Sequence, residues 1–483
     1  MGFCPSLQSL MPLLAAGAAA VCLRAEPPVE SGPLAHEFGL TLEPGHRSEA
    51  AGPLLWTETT PSLSGWGLNP FVSFRSEPEV ERTQIEFLYP LVSYDRYGSQ
   101  DRWQFLQLLS WGGGRSTDGS DTQRFTVFPF YFQQESTDPA KRYHALLPLY
   151  GTLKNRLFRD EIRFVALPVW VQTRKRDVVT DNWLVPFFHR RHGGAQGWQL
   201  WPVYGTETRA VLTRTNGITD LPEVVPGHEK RFLLWPFGLS EVTGIGSENT
   251  TTNRAILPLF ALRRSPQLDN TTLLWPFITH TVNREVGYEE WGAPWPFVGW
   301  ANGEGKHARR LWPLYGKASN TNVSSGFILW PAYVHKQLVT ENLLREQTRG
   351  LFYVWSDVSE KNRQTGEEYR RRSLWPLAHH WKDRTGRERF QMLALAESAF
   401  PHNEAISRAW SPVWSLYRSE KNPKAGAASQ SLLWNLWRRD VKPGETRTSF
   451  LFGMVKTETT QEGRKWRWFW RRGTTSEAST SPR

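Results

Sequence analysis

Sulfur is scarce in this 483-residue chain, which has two cysteines and four methionines. Both cysteines, Cys4 and Cys22, fall within the first 25 residues, so a product cleaved near Ala25 carries no thiol. A disulfide-stapled domain, a thiolate zinc site and a cysteine nucleophile are excluded for that product. Apolar runs long enough to cross a bilayer as a helix are missing too. The stretch from Leu10 to Leu23 is too short, and it is followed by Arg24 and the proline-bearing Glu26-Pro27-Pro28. That is the pattern of a secretory signal over residues 1–25. The sequences that announce catalysis are also absent: there is no H-E-x-x-H, no G-x-S-x-G, no phosphate loop and no dinucleotide G-x-G-x-x-G. His189 with His192 and His379 with His380 are candidate metal ligands, but isolated histidine pairs are more often solvated. Carboxylates are scattered over many segments, so no acid and base pair stands out. The sequence nominates no catalytic residue, no cofactor and no metal site, and reads as a protein that is not an enzyme.

What the chain has instead is aromatic: 25 tryptophans, 26 phenylalanines and 13 tyrosines. They are placed periodically. An apolar-Trp-Pro-apolar motif recurs around Trp201, Trp235, Trp275, Trp295, Trp312, Trp330 and Trp375. Looser copies keep the proline, among them Asn69-Pro70-Phe71, Leu147-Pro148-Leu149, Val185-Pro186-Phe187 and Ser411-Pro412-Val413. Degenerate copies without it fall at Leu106 to Trp111, Phe352 to Trp355, Met392 to Leu395, Leu433 to Trp437, Phe450 to Gly453 and Trp466 to Trp470, with a weak one near Ile218. Together they make about 22 units of ~20 residues.

After each proline come two apolar or aromatic residues and then a rise in polarity, with Gly, Asn, Asp and charged residues filling the gaps. That is strand and turn chemistry, and a proline in every unit rules out a helix through it. Each unit reads as one strand of about 9 to 12 residues with a short connection, which makes neighbours antiparallel. Proline inside a sheet removes a ladder donor, so two geometries survive. Either a strand begins near each proline, or each unit is two short strands kinked there. The expected fold is all-β, an antiparallel up-and-down meander of about 22 strands. Residues 26–64 read as an N-terminal extended or linker segment, 65–472 as the β-repeat domain and 473–483 as a polar tail.

So long a meander curls or closes. An exported, thiol-free chain with an aromatic cluster near the start of each strand resembles the Gram-negative outer-membrane β-barrel proteins as a structural class, over roughly residues 65–472. The resemblance implies a closed barrel in the outer membrane, with aromatic girdles at both rims, acting in passive transport or as an envelope scaffold. Trp466, Trp468 and Trp470 alternate with Arg467 and Arg471, so the rings share one strand face. The polar tail that follows departs from barrels that end on an aromatic strand. The rival expectation is a soluble periplasmic or surface β-repeat protein that binds glycans or proteins through exposed rings.

The net charge is +11 and the pI about 9.6. Basic clusters follow the aromatic segments at Arg174, Arg190, Arg263, Arg309, Arg371 and Arg438. Their plain reading is a solvated rim that keeps strand edges soluble. In a barrel they read as a rim for anionic headgroups of outer-membrane lipid, or as a lumen that prefers an anionic solute. Export argues against nucleic acid as a partner.

Overall fold

A computed structural model describes residues 35–215, 221–401, 403–461 and 463–468. The signal segment, the weak repeat copy near Ile218, Trp470 and the polar tail lie outside the described residues. The architecture is one antiparallel sheet of 42 strands, plus a separate two-stranded hairpin, Leu212–Thr215 with Pro222–Val225. Every strand of the large sheet pairs with its neighbours along the chain, and the only step over intervening strands runs from Tyr204–Arg209 to Gly227–Leu233, past that hairpin. The all-β antiparallel meander is therefore present.

Two finer expectations are corrected. The sheet has 42 strands instead of about 22, and it is not closed into a barrel: no ladder joins the first strand, His36–Gly39, to the last, Gly463–Trp468. The strand count doubles because each ~20-residue unit is a hairpin that reverses at its proline. Strands are accordingly four to eight residues long. The sheet also begins earlier than residue 65: His36–Gly39, His46–Ala50 and Leu55–Thr59 occupy part of the segment that reads as a linker.

The turn explains where the prolines go. In Leu234-Trp235-Pro236-Phe237 the N–H of Phe237 donates to the carbonyl of Leu234 at 2.8 Å, and the Trp235-Pro236 bond is cis. This is a four-residue turn with proline at its third place, the type VI arrangement. Proline sits outside the ladder, so no ladder donor is lost. Ser411-Pro412-Val413 is an exception among the copies, since Pro412 lies in the short helix Ser411–Trp414.

Register traced from strand to strand assigns every side chain to one of two faces. One face carries Glu49, Trp56, Glu86, Phe132, Phe164, Thr180, Glu207, Ala301, His379, Glu420 and Arg438. These side chains are mostly buried, and this is the inner face. The other, outer face is more exposed. A small apolar cluster, Phe132, Tyr143, Ala145, Leu153 and Phe164, lies on the inner face. Elsewhere the inner face mixes polar and charged side chains with single apolar ones such as Phe38, Trp56 and Val358.

The two ends of the sheet meet inner face to inner face. Arg438 lies over the ring of Phe38, 3.6 Å from its centroid, and Asn422 donates to the carbonyl of Leu42 at 3.2 Å. Ion pairs line the seam: Arg47 with Glu49 and Glu58 at 2.7 and 2.9 Å, and Glu420 with Arg389 and Arg418 at 2.9 and 2.8 Å. Burial alone would push the Glu420 carboxyl up, but Arg418, Arg389 and Arg438 outweigh it and hold the pKa down at about 2.

Between Met392 and Tyr417 the chain makes a long excursion where a turn would otherwise be, and it acts as a clasp. Arg408 pairs with Glu86 at 2.7 Å and Trp410 Nε1 donates to the Tyr89 carbonyl at 2.9 Å. The clasp's own fold is organised by buried Glu397, which accepts from Gln391 Nε2 at 2.8 Å, from Trp414 Nε1 at 3.0 Å and from Ser411.

Three inner-face histidines are held neutral. Burial lowers His379 to about 4, and His36 to about 3 with help from Lys456 and Arg438; burial and then Arg191 lower His189 to about 4. A base whose folded pKa lies below its unfolded value of 6.5 contributes stability that is complete above 6.5 and is lost as pH falls toward the folded value. The urea midpoint should therefore drop between pH 6.5 and 4, with His379 contributing on the order of 1–3 kcal/mol. In His379→Gln the drop should be measurably shallower, and an unchanged profile would exclude His379 as a source.

Candidate functional site

Because every cis-proline turn of the repeat reverses a hairpin in the same sense, all of them fall on one long edge of the sheet. Trp201, Trp235, Trp275, Trp295, Trp312, Trp330 and Trp375 all sit there, each next to the proline that turns the chain. This corrects the expectation of two aromatic girdles. A strand per unit would have sent alternate clusters to opposite rims, whereas a hairpin per unit returns each cluster to the same rim. The opposite edge carries mostly polar connections such as Arg176-Asp177, Glu304-Gly305 and 383–387, with scattered exposed apolar side chains at Leu157-Phe158, Val80, Val286 and, in the hairpin, Leu221 and Val224.

The turns are stitched to one another. Leu234 N–H donates to the Val203 carbonyl and Trp235 N–H to the Pro202 carbonyl, both at 2.7 Å. Leu329 and Trp330 repeat this with Leu314 and Pro313, again at 2.7 Å. The rings follow: Trp201 lies 5.8 Å from Trp235, and Phe297, Trp312 and Trp330 are in series at 5.5 and 5.8 Å. These are the centroid spacings of favourable aromatic pairs. The indole N–H groups of Trp235, Trp275, Trp295, Trp312 and Trp330 have no protein acceptor among the described residues, whereas Trp375 donates to the Leu395 carbonyl at 2.8 Å.

The edge is openly apolar. Leu234 is 56% exposed, Trp235 46% and Phe237 56%, and the other turns are similar. The leucine is the informative residue. Leu184, Leu234, Leu274, Leu329, Leu351 and Leu433 all have φ between 45° and 49°. Left-handed backbone costs a side chain with a Cβ roughly 1–2 kcal/mol, and glycine is the inexpensive occupant. The chain places a large, half-exposed apolar side chain at that position in turn after turn. Folding stability does not account for it.

Behind the turns, the outer face carries an apolar row formed by the strand residues next to them: Leu200, Leu233, Ile256, Leu273, Leu311 and Ile328 are all exposed. Over the N-terminal part of the sheet a second outer row is aromatic as well. Trp66 pairs with Phe74 across strands, and Trp103 lies between Tyr94, tilted against it at 4.7 Å, and Trp111, stacked on it at 5.7 Å. In the last strand, Trp466 and Trp468 share the outer face, and Arg467 on the inner face pairs with Glu458 at 3.2 Å.

The basic clusters divide. Arg174, Arg190 and Arg309 project from the outer face, while Arg263, Arg371 and Arg438 lie on the inner one. Arg438 is buried and paired with Asp440 at 2.8 Å, so it belongs to the seam. The histidine pairs divide as well. His379 and His380 point to opposite faces, as do His189 and His192, so neither pair converges on one ion. His379 instead shares a hydrogen bond of 2.9 Å with Ser373. Residues that sequence reading passed over include the left-handed leucines, buried Glu397 and the Arg389–Glu420–Arg418 group.

A variant carrying Leu234→Gly, Leu274→Gly and Leu329→Gly separates folding from edge function. Relief of backbone strain and loss of partial packing nearly offset, so stability should change by less than about 1 kcal/mol per site, read from thermal or urea unfolding. A loss of several kcal/mol would make these leucines structural.

The chain matches no family profile and no curated protein.

Proposed function

We propose that this is an exported envelope protein that seats its turn edge in one leaflet of the outer membrane and stands on it as a scaffold. The observation that carries the reading is the continuous run of apolar turns along one edge, against mostly polar loops on the opposite edge. Three or four consecutive turns already expose more than the few hundred Å² of continuous apolar surface that soluble monomers usually show. Tryptophans with solvated rings and unpaired indole N–H groups suit the boundary between lipid and water.

Strand length favours seating over spanning. Six residues at ~3.4 Å reach about 20 Å, whereas strands that cross a bilayer run to ~9–11 residues. The apolar turn and the first outer row together form a band of roughly 5–10 Å, the depth to which interfacial elements insert. The envelope scaffold is thus better supported than a pore. The signal pattern in residues 1–25 and the thiol-free remainder support export.

The rival reading, a soluble protein that binds glycans or other proteins through its rings, draws on the outer aromatic ladder from Trp66 to Trp111. One experiment separates the two. The mature protein is mixed with phosphatidylcholine vesicles, floated on a density gradient, and its tryptophan emission is recorded with lipids brominated at different chain depths. Flotation with quenching strongest for bromines near the headgroup is expected, and the triple leucine-to-glycine variant should float markedly less. Recovery at the bottom of the gradient without quenching would refute the membrane reading.

A further inference from the structure

Many inner-face cations are paired, though Arg263 and Arg371 have no carboxylate partner among the described residues, and the outer face leaves a row of them free. Inside, Arg47, Arg191, Arg389, Arg408 and Arg438 each meet a carboxylate within 2.9 Å or less. Outside, two residues back from the apolar row, stand Arg190, Arg254, Arg309, Lys317 and Arg439. All five are exposed, and none has an ion-pair or hydrogen-bond partner among the described residues. Arg231 and Arg372 occupy the same row and are tied to Glu229 and Asp357. Asp181 shares the row as well.

Register places these residues at one height. Leu311 precedes its turn and Arg309 lies two residues before it; Tyr315 follows the turn and Lys317 lies two residues after it, with Arg309 directly opposite Lys317. Ile256 with Arg254 and Phe188 with Arg190 repeat the spacing. Two residues of strand are about 7 Å. With the turns and the first row in the acyl boundary, a cation 7 Å higher stands at the level of the headgroup phosphates.

Resting on the membrane reading above, we propose that this row selects phosphate-bearing anionic lipid headgroups, so that the turn edge supplies insertion and the cations supply lipid choice. Over the N-terminal strands the same height is occupied by Trp66, Phe74, Tyr94, Trp103 and Trp111, so that sector inserts without the charge contacts. The residue types suit it: arginine forks match phosphate, and long aliphatic stems let a cation stand above an apolar row.

The test uses flotation with two vesicle types, phosphatidylcholine alone and phosphatidylcholine with one third phosphatidylglycerol. The protein carries +11 overall, so a charge control is essential. The row variant is Arg190→Gln, Arg254→Gln, Arg309→Gln, Lys317→Gln and Arg439→Gln. The control removes as many exposed cations at the opposite edge: Arg174→Gln, Lys175→Gln, Arg176→Gln, Lys421→Gln and Lys424→Gln. At about one Debye length or less from the surface each cation contributes appreciably, and the wild type should prefer the anionic vesicles by about a hundredfold or more at low salt. The row variant should lose at least tenfold of that preference while floating normally on neutral lipid, and the control should keep it. Circular dichroism confirms that both variants are folded. Equal preference in the row variant and the wild type overturns this inference alone, as does equal loss in the control. Flotation with neither vesicle overturns the membrane reading and this inference together.

Discussion

The structure depends on a short hydrogen bond inside a four-residue turn. In most of the repeat turns the residue after the proline donates to the carbonyl three places earlier, as Phe237 does to Leu234 and Phe277 to Leu274, and this reverses the chain with proline held out of the ladder. Everything larger follows from repeating it. The reversal makes each unit a hairpin, and the hairpins pair side by side because the ladder continues through turn-to-turn bonds such as Trp330 to Pro313. Because the reversals share one sense, their side chains accumulate along one edge. The stability of so thin an object comes from the continuous ladder and from cross-strand side-chain pairs, since few side chains are deeply buried: Phe164 and Asn69 are the largest fully buried ones among the described residues.

The sheet ends use a different principle. An open sheet exposes unpaired backbone at both edges and invites association. Here the first strands and the strands after Glu388 face each other through ion pairs and the clasp. Glu86 and Glu397 are the pivots: one receives Arg408 from the clasp, the other holds the clasp together. Among the described residues the last strand, Gly463–Trp468, pairs on one side only, and it carries Arg464, Lys465 and Arg467, the charge that discourages pairing with another chain.

Much of this was legible in the sequence, within a definite limit. The period, the strand chemistry and the objection raised by proline all follow from residues alone, and two short strands per unit was one of the two surviving geometries. What could not be read was the sense of the kink. A proline after tryptophan is compatible with a bulge, a strand start or a cis turn, and only the last brings Trp312 and Trp330 to the same rim. Once the turn is known, the outer cations become legible. They lie at even offsets from the turn, as Lys317 lies four residues after Pro313 and Arg309 four before it. Glu397 carried no local signal, because its partners Gln391, Ser411 and Trp414 are brought to it by an irregular excursion that no periodicity announces. The histidine pairs cannot serve one ion for a simple reason: residues an odd number of places apart along a strand look in opposite directions.

The absence of a ladder across the seam bears on how such a chain changes size. A sheet closed by backbone hydrogen bonds must match strand number, tilt and stagger, so one hairpin cannot be added without re-registering the whole. Here the circuit is completed by side chains. One more ~20-residue unit would lengthen the edge by about 10 Å, two strand spacings, and leave every existing register untouched. The two-stranded excursion beside Tyr204–Arg209 shows that an insertion can already be carried without interrupting the sheet. Circumference in this architecture is a matter of copy number, set by duplication of a short stretch of chain and free of any closure rule.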